Sequence, residues 1–482
     1  MERVARNNKN RNSHSILIDM KQLITFAQLM LIFLSVGAQS YDDVAVIINE
    51  NSEASIEIGT YFAEARDIPL SNLIYVNTTV DEVIDSLGFV SLKNQIKSAM
   101  RAQNLDGDNI NYLVTTKGIP FNLEIGDCNS THYLYYDEDS RFFSDCSCVE
   151  SDLQLLFHPD SSIMANSGSF PNPYFEKSDN FSHSQYGTYL VSRLDGYNVT
   201  SVKDMIDRSG PNVENTLFQY PAFIFDVSYS DEPMVSEIIV NKLTPAIEYL
   251  ESYGCNVILD TLQEMPTIYG PVMSYHTWNF DPFDKEFDAW LMPGAITEIV
   301  LPQQISTFYD SLNIYNELIM SDMIESGADA VSTHMHPFFV MGSTYWEYFY
   351  ESYLPLEPSQ ATLNLAESYY RSIERISWME LLVGDPKTSI ENITTGSSKY
   401  YLPKVVTWLS DLNTLTVKNA MPFTSGSSWI IYSIQGQAVK QGNIAQSKNQ
   451  FNTDITGLEP GMYIIHIEDI ENRGAVGKFI KN

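Results

Sequence analysis

Four charged residues, Lys117, Arg193, Asp195 and Asp385, each follow or end a short apolar run. Continuous apolar runs of this length read as buried strands, and in open α/β sheets ligands bind outside the carboxyl ends of the strands. Two cations and two carboxylates brought to one such edge could hold a polar ligand, or close the fold as an ion-pair network. Arg193 and Asp195 lie two apart and share a face if their strand continues. Glu150 and Asp152 add a second acidic pair ahead of the apolar run 153–157, either as binding groups or as a helix start capped by Ser151.

His334 and His336 are also two apart, so on an extended segment both imidazoles would face one side, as a metal requires. No third ligand is identifiable and Pro337 disrupts regular pairing, so neither a metal nor any other cofactor is expected. Of four cysteines, Cys128, Cys146 and Cys148 cluster in one polar stretch. In an oxidising compartment Cys128 bonded to Cys146 or Cys148 would close a loop of roughly 20 residues, worth about 3 kcal/mol. Cys255, beside the apolar run 256–259, reads as a buried inert thiol.

These residues need strands to carry them. The stretch 110–121 runs from an apolar strand through Thr115, Thr116 and Lys117 into Gly118, with Pro120 ending the pairing. It is read as the central strand. No glycine-rich run or Ser/Thr-capped helix accompanies it, which excludes a phosphate loop. Further strands are predicted at 44–48, 73–76, 188–192, 222–227, 256–259, 271–275 and 330–332. Helices are predicted at 55–66, 80–87, 92–102, 202–208, 235–253, 316–325 and 364–375, the first with Ile56, Tyr61, Phe62 and Ala63 partly on one face. The alternation predicts βαβ units in a mainly parallel sheet flanked by helices, interrupted by an aromatic, Asp/Ser-rich insertion at about 122–182.

The expected division has three parts. Residues 1–39 form an N-terminal extension and a secretory signal peptide, with Met20 as the expected start, Lys21 as its basic flank and Val36-Gly37-Ala38 as the cleavage site. Residues 40–396 form the α/β domain, and the Thr/Ser/Gly-rich remainder, 397–482, a small β-sandwich. The signal core is too short to span a bilayer comfortably, so the mature chain is expected to carry no transmembrane anchor. Against 61 Asp plus Glu stand 28 Lys plus Arg, a net charge of −33, which repels a phosphate backbone and excludes nucleic acid as a partner.

The C-terminal runs 431–437 (Ile-Tyr-Ser-Ile-Gln-Gly-Gln) and 455–465 (Ile-Thr-Gly-Leu-Glu-Pro-Gly-Met-Tyr-Ile-Ile), with the ending Lys478-Phe479-Ile480-Lys481, resemble the type IX secretion C-terminal sorting domain of Bacteroidetes. The resemblance implies export through the outer membrane, removal of the domain, and release or attachment at the cell surface. Upstream the usual Pro-Asn-Pro is replaced by Ala420-Met421-Pro422-Phe423.

The runs 112–120 (Tyr-Leu-Val-Thr-Thr-Lys-Gly-Ile-Pro), 149–153, 190–196, 293–295 (Pro-Gly-Ala) and 383–386 (Val-Gly-Asp-Pro) resemble an uncharacterised secreted bacterial family found in genomes with exosortase systems. That family transfers no chemistry. More distantly, the strand order and closing Gly-Asp-Pro resemble the caspase-like domain of gingipain-type surface peptidases. That resemblance implies a catalytic His after one strand and a nucleophilic Cys after the next. His276, ending the strand 271–275, fits the first position, whereas the run 291–295 offers no cysteine. The expectation is a secreted or surface protein that binds a ligand or polymer on a caspase-like scaffold without its nucleophile; the alternative is a hydrolase using His276. The expected partners are the type IX machinery and a surface polysaccharide or lipopolysaccharide.

Overall fold

In the computed structural model the described residues are 39–124, 146–158, 170–214, 221–227, 239–260, 271–277, 290–299, 320–334, 343–356, 362–378, 380–392, 406–411, 413–423, 425–434, 436–445, 448–468 and 474–481. The signal-peptide stretch, Cys128 and His336 lie outside them, as do the side chains of Cys146 and His334.

Ten strands form one sheet: β1 (Val44–Asn49), β2 (Leu73–Val76), β3 (Tyr112–Thr116), β4 (Leu190–Leu194), β5 (Ala222–Asp226), β6 (Asn256–Asp260), β7 (Pro271–Thr277), β8 (Trp290–Ile299), β9 (Ala330–His334) and β10 (Glu380–Gly384). Their spatial order is β6-β5-β7-β8-β9-β10-β4-β3-β1-β2. All six residues of β1 and all five of β3 are buried, which requires both faces to be covered. Ile47 and Ile48, pointing to opposite faces, are each wholly enclosed, a burial worth about 2 kcal/mol apiece. The multi-residue pairings are parallel throughout, except that of β9 with β10, which is antiparallel with Ala330 opposite Gly384 and His334 opposite Glu380. A mainly parallel sheet flanked by helices is therefore the architecture, as the alternating pattern implied. Strand β3 is interior, third from the β2 edge.

The helix α1 (Glu53–Ala65) is capped by Ser52, whose side chain accepts from Ser55 N, and buries Ser55, Ile58, Gly59, Phe62 and Ala63. Ile56, expected on the inner face, is 37% exposed. The two helical segments expected at 80–87 and 92–102 are instead a short strand, Val83–Asp85, and one helix, α2 (Ser86–Ala102), capped by Asp85. Val80, Val83 and Leu87 imitate helical spacing but are exposed.

Strand β8 went unrecognised because Pro293 and Gly294 interrupt it. Gly294 takes φ +81° in a bulge where the register against β7 shifts. Its N–H donates to Asp329 Oδ2 at 2.6 Å and its carbonyl accepts from the Tyr353 hydroxyl at 3.0 Å.

The C-terminal strands pair antiparallel in two small sheets. One contains β11 (Val406–Asp411), β12 (Thr414–Phe423) and β15 (Lys448–Asp454); the other contains β13 (Ser428–Ser433), β14 (Ala438–Asn443), β16 (Gly461–Glu468) and β17 (Gly474–Lys481). Leu415 and Val417 of the first pack with Ile431, Tyr463, Ile465, Ile467 and Phe479 of the second, the period-two alternation of a sandwich.

Candidate functional site

At the exit of β3, the chain turns through Lys117 and Gly118. Gly118 sits at φ +93°, and a Cβ there would fall 2.2 Å from Ser52 Oγ, so the close approach serves the α1 cap. Around this exit the structure gathers four of the predicted charges. Arg193 Nη1 donates to Glu150 Oε1 at 2.8 Å, and its Nε and Nη2 donate to Asp195 Oδ2 at 2.9 and 2.6 Å. Lys117 Nζ meets Asp195 Oδ1 at 3.0 Å and the Gly196 carbonyl at 2.7 Å. Thr115 Oγ1 donates to Glu150 Oε1 at 2.6 Å, and the Cys148 thiol to Glu150 Oε2 at 3.3 Å. Arg193 also reaches the Ile119 carbonyl, at 2.7 Å.

Two cations face two carboxylates, each at most 7% exposed. The flanking carboxylates outweigh desolvation and hold Arg193 above its ordinary range. Strand β4 extends through Leu194, which places Arg193 within it and Asp195 just beyond. Among the described residues the arrangement is a buried network of two cations and two carboxylates.

Asp385 is not part of it. Its carboxylate accepts from the Tyr41 hydroxyl at 2.9 and 2.8 Å and from Arg66 Nε at 2.7 Å. Tyr41 precedes β1 and Arg66 follows α1, so Asp385 lies at the edge opposite Lys117. The expected convergence of all four charges fails because β10 runs antiparallel to β9 and delivers its last residue to the sheet's starting edge.

Asp152 and Glu150 both lie in the short helix α3 (Val149–Leu153), whose N-cap is Cys148 with no side-chain bond. Ser151 is thus not the cap: it accepts from Trp378 N at 2.7 Å and donates to Glu380 Oε2 at 3.1 Å. Asp152 accepts from Ser377 Oγ at 2.6 Å, and burial pushes its carboxyl up to about 6. Cys148 and Cys255 are free, buried thiols. The pairing of Cys128 with Cys148 is therefore not formed, while that with Cys146 rests on side chains outside the described residues. Burial and the Glu150 charge raise the Cys148 thiol well above its usual range, and burial pushes Cys255 up to about 12.

His276 lies inside β7, 0% exposed, stacked on Phe225 at 5.0 Å and beside Trp346 at 4.0 Å. Register puts Glu298 of β8 directly opposite. Nε2 is 2.5 Å from the Tyr350 hydroxyl, which donates to Ser274 Oγ at 2.7 Å; Nδ1 is 3.7 Å from Glu298 Oε2, which accepts from Trp346 Nε1 at 2.8 Å. Burial holds the imidazole below its ordinary range, so it is neutral at physiological pH. Trp346 and Tyr350 come from the helix Trp346–Tyr353, four apart on one face. The sequence reading missed Glu298, Tyr350 and Ser274. The lone carboxylate in the apolar run 295–300 was the available signal. Among the described residues no group of three or more His, Cys, Asp or Glu could hold a metal ion.

No curated protein matches the chain. Among solved structures, the Arg-specific cysteine proteinase gingipain R aligns over 91% of this chain and 98% of its own at 9% identity, with a TM-score of 0.38. One described only as a protease aligns over 91% and 96% at 11% identity and a TM-score of 0.33. A DUF3244 family protein with an immunoglobulin-like β-sandwich fold from Bacteroides vulgatus aligns over 17% of this chain and 86% of its own at 24% identity, with a TM-score of 0.15. Residues 412–482 match the secretion system C-terminal sorting domain. The chain thus carries a type IX sorting domain and is exported to the cell surface or beyond it.

Proposed function

We propose that residues 40–396 form an extracellular binding scaffold, delivered by a sorting domain at 397–482, and that this scaffold holds a ligand or surface polymer without cleaving it. One observation carries the reading: the groups that sequence pointed to as catalytic or binding are buried and already engaged with one another. Lys117, Glu150, Arg193 and Asp195 neutralise each other, and His276 is enclosed by aromatic rings. Both free thiols among the described residues are held as thiols, which are poor nucleophiles.

A second reading has its own support. Tyr350 on Nε2 and Glu298 on the Nδ1 side of His276 give the order hydroxyl, imidazole, carboxylate that activates a nucleophile in hydrolases. Burial of all three argues against substrate access. Incubating the purified mature protein and its His276→Ala variant with peptide, ester and glycan substrates separates the readings. The scaffold reading expects no turnover by either; turnover abolished by the substitution would establish the hydrolase.

A further inference from the structure

Helix α2 reverses the charge of the chain around it. Its 17 residues, Ser86–Ala102, hold Lys93, Lys97 and Arg101 and no carboxylate, in a chain whose net charge is −33. Phe89, Leu92, Lys93, Ile96 and Met100 are buried against the body. Leu87, Val90, Ser91, Asn94, Ser98 and Arg101 are exposed, and their spacing of three and four residues puts them on one outward face. Leu87 is 82% and Val90 51% exposed, and Val83, in the short strand leading into the helix, is 41% exposed. Apolar side chains grouped on an outward face mark an interaction surface.

The charges beside this face are divided between its two ends. Asp81 and Asp85, both exposed, stand before the first turn; Asp85 Oδ1 accepts from Gly88 N at 2.7 Å and Asp81 Oδ2 from Thr79 Oγ1 at 2.6 Å. Each carboxylate has acceptor positions beyond that one bond. Arg101 stands in the last turn with its side chain 60% exposed. It lies 5.3 Å from the Phe157 ring centroid and meets Asp106 only at 3.8 Å, an exposed pair worth little. The exposed positions are also symmetric about Asn94, with Leu87 mirrored by Arg101 and Val90 by Ser98. A second α2 laid antiparallel about a twofold axis at Asn94 therefore sets Leu87 on the aliphatic stem of Arg101 and Val90 over the small Ser98. It also brings the acidic start of each helix beside the basic end of the other. A parallel pairing would oppose like charges.

We propose that α2 is the contact surface of a homodimer, two copies of the helix packing antiparallel across a twofold axis at Asn94. The occupant is a second copy of this chain because the face is self-complementary in charge, and because a helix without carboxylates lets two strongly acidic molecules approach. One helix and its flanks make an interface at the low end of the roughly 1,200–2,000 Å² of stable complexes, so a micromolar dimer is expected. The inference stands independently of the binding reading above.

The test is sedimentation velocity of the mature protein from about 1 to 100 μM, in about 50 and 500 mM salt. A dimer should form across this range and weaken at least about threefold at the higher salt, which screens its end-to-end charge pairs. Arg101→Glu and Leu87→Ser, both at exposed positions, should each weaken it at least about tenfold while thermal unfolding matches the wild type. Asn94→Cys reads the geometry without depending on either variant. Two thiols at the axis should form an intermolecular disulfide under mild oxidation, whereas the wild type and Glu64→Cys, exposed on α1, should form none. A chain that stays monomeric throughout would overturn the proposal. So would a dimer that keeps its affinity in both variants and gives no cross-link through Asn94→Cys, since it would use another face.

Discussion

Arg193 shows what the buried charges do. Its guanidinium bonds two carboxylates and a carbonyl, and removing it leaves Glu150 and Asp195 buried without the cation that both of them pair with. Arg193→Met should therefore cost about 3–5 kcal/mol in urea unfolding, the range for breaking a buried ion pair. A loss under about 1 kcal/mol would contradict the network's structural role. Asp152 works in the opposite sense. Its folded carboxyl titrates near 6 against an ordinary 3.8, so the folded state binds the proton more tightly and stability falls as pH rises from about 4 to 6. The difference is worth about 3 kcal/mol against folding at pH 7. Asp152→Asn should recover up to that amount at pH 7 and nothing below pH about 4, read from denaturation midpoints at the two pH values. For His276, held below its ordinary 6.5 by burial, NMR should show a ring proton titration displaced to a midpoint below 6.5. A titration centred near 6.5 would mean that the ring reaches solvent.

At the scale of elements, polarity decides which residues meet. The strands β1, β3, β4, β5, β6 and β7 were legible because each is a short apolar run; their side chains are buried as that pattern implies, except in the edge strand β6, where Leu259 is 51% exposed. Periodicity carries no information on strand direction. The run at 380–384 looked like one more strand ending in a charge, yet its antiparallel course takes Asp385 to Tyr41 and Arg66 instead of Lys117. The bulged β8 was hidden by Pro293 and Gly294, and with it Glu298, the residue opposite His276. The Lys117, Glu150, Arg193 and Asp195 cluster was partly legible, since each residue sits beside an apolar run, but their mutual contacts needed the fold. Gly118 tests the turn that positions Lys117. Gly118→Ala forces a side chain into φ +93° and onto Ser52, so it should destabilise by about 1–3 kcal/mol in thermal unfolding.

Among the described residues of the whole molecule, the two large buried clusters correspond to two tasks, with a small third in which Met292 meets Tyr432. The buried cluster from Tyr41 to Ile390 builds the sheet, and that from Leu415 to Phe479 builds the sandwich matched by the sorting domain. No helix of the described residues is long and apolar enough to cross a membrane. Deleting residues 412–482 should abolish surface exposure in immunodetection on intact cells, and unchanged display would contradict the sorting role. Whether the exported body holds a ligand without converting it can be read by isothermal titration calorimetry of the mature protein with soluble extracellular polymers. Binding without conversion gives heats that saturate and return to baseline after each injection. A baseline displaced in proportion to enzyme concentration, the mark of continuing turnover, would contradict it.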